Sequence, residues 1–83
     1  MGYCYAVFTS RSETLSFASF LKKMGLPCMI ASTPKSIGRA CGISVKFMKD
    51  YLDNVMQYLN KLNYRSFKGF VEAIFDKIHN III

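Results

Sequence analysis

The apolar positions of this 83-residue chain switch between a period near two and a period near 3.6. Tyr3-Cys4-Tyr5-Ala6-Val7-Phe8 is a β-branched and aromatic run ended by polar Thr9-Ser10, the pattern of a buried strand. Ser10 and Glu13 stand in the Ser-x-x-Glu relation of a capping box. Leu15, Ala18, Leu21 and Met24, flanked by Phe17 and Phe20, make an apolar stripe that Gly25 ends. This predicts a helix from about Arg11 to Met24. After Gly25-Leu26-Pro27, Cys28 to Ala31 reads as a second strand. Gly42 to Met48 reads as a third, with Ile43, Val45 and Phe47 alternating against Ser44 and Lys46.

Leu52, Val55, Met56, Leu59 and Leu62 recur at helical spacing, with Asp50 placed to cap and Asn63 to terminate, and they predict the second helix. Phe67, Gly69, Val71 and Ala73 then alternate with Lys68, Phe70, Glu72 and Ile74 as a fourth strand; residues 75–83 suit either a short helix or an extension of it. The order βαββαβ predicts one α+β domain over residues 1–83. Its architecture is ferredoxin-like, a four-stranded antiparallel sheet with both helices on one face and strand order 4-1-3-2. The third strand then separates the first two by about 10 Å, too far for a disulfide between Cys4 and Cys28.

Composition narrows the function. A chain this short supports one core and leaves little room for a deep catalytic cavity, so a carrier, a binding module or a regulatory subunit is expected rather than an enzyme. Eleven Lys and Arg against five acids give a net charge of +6, which favours acidic partners, although the bases are scattered and only Lys22-Lys23 are adjacent. The mean hydropathy is +0.22, yet the longest uncharged run, Met24 to Pro34, is too short and too broken by Gly25 and Pro27 to cross a bilayer. No targeting signal is read at the start of the chain, and a cytoplasmic location is expected. Three cysteines without a Cys-x-x-Cys pair, and one histidine, His79, point to reduced thiols with no metal site and no cofactor.

The segment between the second and third strands, Ser32 to Cys41, is longer than a hairpin needs and carries a cysteine at its end. Thr33-Pro34 is a start signal for a helical turn, and Gly38 and Gly42 permit a sharp re-entry that presents Cys41. A free thiol is only about 3% thiolate at pH 7, and neighbouring cations raise that fraction. Lys35, Arg39 and Lys46 are the bases closest in sequence. Cys4 and Cys28, inside strands, read as small core residues.

Ser32-Thr33-Pro34-Lys35-Ser36-Ile37, followed by Ala40-Cys41-Gly42-Ile43-Ser44-Val45-Lys46-Phe47, resembles the Cys-Gly signature of the Se/S carrier protein-like family. The similarity extends to Phe8-Thr9-Ser10, to Met24-Gly25-Leu26-Pro27 and to Lys68-Gly69-Phe70, and it covers roughly Tyr3 to Ile74. Gly38-Arg39 departs from the small polar pair of the signature, and the tail is longer and more apolar. The resemblance implies that Cys41 carries sulfur or selenium as a persulfide or perselenide, with Lys35, Arg39 and Gly42 around it. A donor protein such as a cysteine desulfurase would supply it, and an acceptor enzyme would receive it.

Two other readings stand beside this one. The uncovered sheet face, drawing on Tyr3, Tyr5 or Cys4, Phe8 and Met48, suits a homodimeric regulatory or interaction module. A basic βαββαβ domain is also the architecture of an RNA-binding RRM, but Lys68-Gly69-Phe70-Val71 falls on the fourth strand, and the third offers Ser44 and Lys46 in place of stacking aromatics. Nucleic acid and membrane are therefore not the expected partners.

Overall fold

The computed structural model describes the backbone of residues 2–33, 42–74 and 77–81, and the side chains as far as residue 72. Strand β1 (Tyr3–Phe8), helix α1 (Arg11–Lys23), strands β2 (Cys28–Ser32) and β3 (Ile43–Met48), helix α2 (Leu52–Leu62) and strand β4 (Phe67–Ile74) follow in the predicted order. They form an antiparallel sheet in the order β2-β3-β1-β4, the ferredoxin-like arrangement. The tail adds a fifth strand, β5 (Lys77–Ile81), which turns back to pair antiparallel with β4 from Ile74↔Lys77 to Phe70↔Ile81. It satisfies backbone groups along an edge of β4 that would otherwise be open.

One sheet face carries the core. Cys4, Ala6 and Phe8 of β1, Val45 and Phe47 of β3 and Phe70 of β4 pack with Phe17, Ala18 and Leu21 of α1 and Val55 and Leu59 of α2, so both helices cover the same side. Phe8 anchors this layer: it is fully buried, and its ring centroid lies 5.4–5.7 Å from those of Phe17, Tyr64 and Phe67. The opposite face shows Tyr3, Tyr5, Met29 and Lys46, so of the residues proposed for it Cys4 and Phe8 belong instead to the core.

The buried stripe of α1 is Thr14, Phe17, Ala18 and Leu21, whereas Leu15 and Met24 are 44% and 52% exposed. At about 100° per residue, steps of three drift around the helix, and Leu15 and Met24 end on opposite sides of it. The capping box is half formed. Ser10 Oγ accepts from the Glu13 N–H at 3.2 Å, but the Glu13 carboxylate reaches across the fold to accept from the Ser66 N–H and hydroxyl. Those hydrogen bonds, the side-chain one foremost, hold the Glu13 carboxyl below the usual range.

At α2, Asp50 makes no capping bond. It sits inside a 3-10 turn, Lys49–Tyr51, that leads straight out of β3, and Tyr51 occupies the N-cap without a side-chain hydrogen bond. Asn63 does terminate the helix, in the left-handed region at φ 55°, while Leu62 is left 38% exposed at the helix end.

Strict alternation also fails on β4. Val7 pairs with Gly69 but Phe8 pairs with Phe67, which leaves Lys68 as an extra residue, a β-bulge. The bulge brings Phe67 and Phe70, of opposite parity, to the same face with ring centroids 5.0 Å apart. Gly69 accommodates it at φ 138°, a region that residues with a Cβ rarely enter.

Candidate functional site

The long connection between β2 and β3 leaves and re-enters the sheet through a closed neck. The Thr33 N–H donates to the Gly42 carbonyl at 3.0 Å, prolonging the β2–β3 ladder one step beyond Ser32↔Ile43. Beside it, the Thr33 and Ser44 hydroxyls are hydrogen-bonded, with Ser44 fully buried. These contacts fix the backbone at Gly42, the residue that follows Cys41. Cys41, Lys35 and Arg39 themselves, and the expected helical turn after Thr33, lie outside the described residues.

Gly42 is exposed, and a Cβ built on it would meet nothing within 4 Å. Its φ is not in the positive region, where only Gly25 and Gly69 stand among the described glycines. The re-entry into β3 therefore makes no use of the conformational freedom expected of a glycine here. What Gly42 provides is open space at its own Cα.

The two described thiols contrast with that setting. Cys4 is fully buried on β1, between Phe47 on β3 and Glu72 on β4. Burial, and secondly the Glu72 charge, push its thiol up to about 11, with Lys49 opposing. Cys28, at the start of β2, is half-buried with its Sγ 3.5 Å from the Ala18 carbonyl; burial raises its pKa too, and Lys22 partly counters the rise. Both shifts disfavour the thiolate, the form that acts as a nucleophile. Phe47 stands between them in one row across the sheet, as the expected strand order requires.

Lys46, one of the three bases closest to Cys41 in sequence, stands over two tyrosines. Its ammonium lies 4.4 Å from the Tyr3 ring centroid and 5.9 Å from that of Tyr5. Tyr3 pairs with Met48, so Lys46 leans toward the end of β3 away from Gly42. The Lys46–Tyr3–Tyr5 group itself went unread because the strand parity that unites it was open; the signal was the i, i+2 spacing of the two tyrosines.

Lys49 forms an ion pair with Glu72. Glu72 Oε2 is shut off from solvent and makes no well-directed hydrogen bond, so this ammonium is what meets its charge, and the pairing raises the Lys49 pKa. Among the described residues no group of three His, Cys, Asp or Glu side chains is placed to hold a metal ion, and no helix is long and apolar enough to cross a membrane.

Residues 3–70 match the family described as Putative Se/S carrier protein-like. The chain belongs to this family. The match takes in β1 through the bulge of β4, and with them the whole β2–β3 connection and its Cys41-Gly42 dipeptide. No curated protein and no solved structure matches the chain.

Proposed function

We propose that the protein is a selenium or sulfur carrier that holds the chalcogen on Cys41. The observation that carries this reading is the family match across residues 3–70, which spans the connection bearing Cys41-Gly42. It is supported by the raised pKa values of Cys4 and Cys28, whose burial in the sheet disfavours the thiolate at both.

In the sulfur case the Cys41 thiolate attacks the terminal sulfur of a donor persulfide. A new S–S bond forms to Cys41 as the donor's own S–S bond breaks, and the donor cysteine leaves as a thiolate. There is no net oxidation, and no cofactor is consumed. Attack by an acceptor enzyme on the outer sulfur repeats the exchange and returns Cys41 to a thiolate. Lys35 and Arg39 supply positive charge that favours the thiolate and the anionic persulfide, and open space at Gly42 leaves room for the added atom. The domain acts as a shuttle between a donor such as a cysteine desulfurase and that acceptor, and it is not itself an enzyme.

The test is loading. Incubated with a cysteine desulfurase and cysteine, the wild type is expected to gain one reductant-labile sulfur, located on Cys41 by mass spectrometry. Cys41→Ser is expected to gain none, while Cys4→Ser and Cys28→Ser still load. Equal loading of Cys41→Ser would overturn the proposal.

A further inference from the structure

The β2 edge of the sheet differs from the rest of the molecule. No strand among the described residues flanks β2 on its outer side, so none of them pairs in the sheet with its outward N–H and C=O groups. Natural edges of this kind are usually blunted by charge, proline or a bulge. Cys28-Met29-Ile30-Ala31-Ser32 has none of these, pairs with β3 in unbroken register, and leaves Met29 55% and Ile30 36% exposed. By contrast the opposite edge, β5, includes Lys77 and His79.

The charge around β2 has one sign. Lys22 lies close enough to Cys28 to act on its thiol from the helix side, and Lys46 stands across from Met29 on the open face. Neither β2 nor β3 contains a carboxylate, and the one acid of α1, Glu13, is turned away to Ser66. A shallow groove of about 460 Å³, bordered by Tyr3, Pro27, Met29, Lys46 and Met48, opens beside the strand. It offers apolar walls and one ammonium.

We infer that the outer edge of β2 is a docking strand for an extended segment of a partner protein in which acidic and apolar side chains alternate. Such a segment adds a sixth strand by main-chain hydrogen bonds, sets its apolar side chains beside Ile30 on the face that the helices cover, and brings its carboxylates to Lys46, next to Met29 on the open face. A second copy of this chain suits the edge less well, because each copy carries a net charge of +6 and brings the same cations and no carboxylate to the seam. β2 runs directly into Thr33 and its hydrogen bond to Gly42, so a partner held here is held beside the start of the connection that bears the thiol. The docking strand goes beyond the carrier reading and rests on the edge and its charge alone.

The test uses the full chain and two synthetic octapeptides, one alternating Glu and Val, the other alternating Lys and Val. The Glu-Val peptide is expected to bind, to slow amide exchange within Cys28–Ser32 at least about tenfold, and to weaken steeply with salt. The Lys-Val peptide is expected not to bind. Met29→Glu, at a position exposed enough to accept charge, is expected to lose the Glu-Val peptide by at least about tenfold in affinity, and Met29→Lys to keep it. Loading of Met29→Glu with inorganic polysulfide is read in parallel and is expected at the wild-type rate, which separates failure of the docking strand from failure of the carrier reading. Equal binding of both peptides, unchanged binding by Met29→Glu, protection mapped to another element, or a peptide-free dimer that protects β2 would each overturn the inference.

Discussion

Cys4 on β1 stands directly opposite Glu72 on β4, inside the sheet and under both helices. With its thiol pushed up to about 11, Cys4 is thiolate on the order of once in ten thousand molecules at pH 7. Iodoacetamide at neutral pH is therefore expected to label Cys41 first, Cys28 more slowly, and Cys4 only on unfolding. Peptide mapping by mass spectrometry reads the order; equal rates at all three would contradict it. The same shift makes stability pH-dependent. Because the folded pKa lies above the unfolded one, the unfolded chain loses this proton first, and the stabilisation present below about pH 8.5 is lost as pH rises toward 11.

Glu13 acts with the opposite sign. Its carboxylate ties the start of α1 to Ser66, just before β4, and its folded pKa is lowered. The contribution is present above the unfolded value of about 4.3 and is lost as pH falls through the folded value. Glu13→Gln keeps a carbonyl to accept from Ser66 but removes the titration. Urea midpoints at pH 6 and pH 3 are expected to differ less in this variant than in the wild type.

The observed face of α1 separates two truncations. Phe8→Ala, in the aromatic layer against α1, is expected to cost about 3–5 kcal/mol, a large share of the stability of so small a domain. Leu15→Ala is expected to cost under about 1 kcal/mol, since Leu15 is 44% exposed. Comparable losses would mean that α1 is rotated from the position described.

Two glycines are expected to respond differently to alanine. Gly69→Ala forces a Cβ into the region near φ 138° at the bulge and is expected to cost about 1–3 kcal/mol. Gly42→Ala meets no atom and is expected to leave thermal stability within about 0.5 kcal/mol of wild type. If Gly42→Ala nevertheless slows sulfur loading, the open space at Gly42 is used by the transferred atom and not by the fold.

Much of the architecture was legible in the chain. Periodicity alone separates six elements, and βαββαβ with short connections leaves few compact arrangements, so strand order and the separation of Cys4 from Cys28 followed. The Cys41-Gly42 segment was legible as a candidate because an over-long connection on a small scaffold, with a thiol at its end, matches a known family signature. What sequence could not decide was set by contacts between residues distant in the chain. Glu13 abandons its capping box because Ser66, 53 residues on, offers two donors. The bulge at Lys68 appears only when β4 is laid against β1, where Phe67 and Phe70 must both reach Phe8 and the core. Lys46 faces Tyr3 because strand direction, not sequence distance, aims its side chain. Local pattern determines which residues can form a strand or a helix, since it is a property of neighbours in the chain. Which face each element buries, and which edge stays open, is decided only when the elements pack, because burial is shared between residues far apart in sequence.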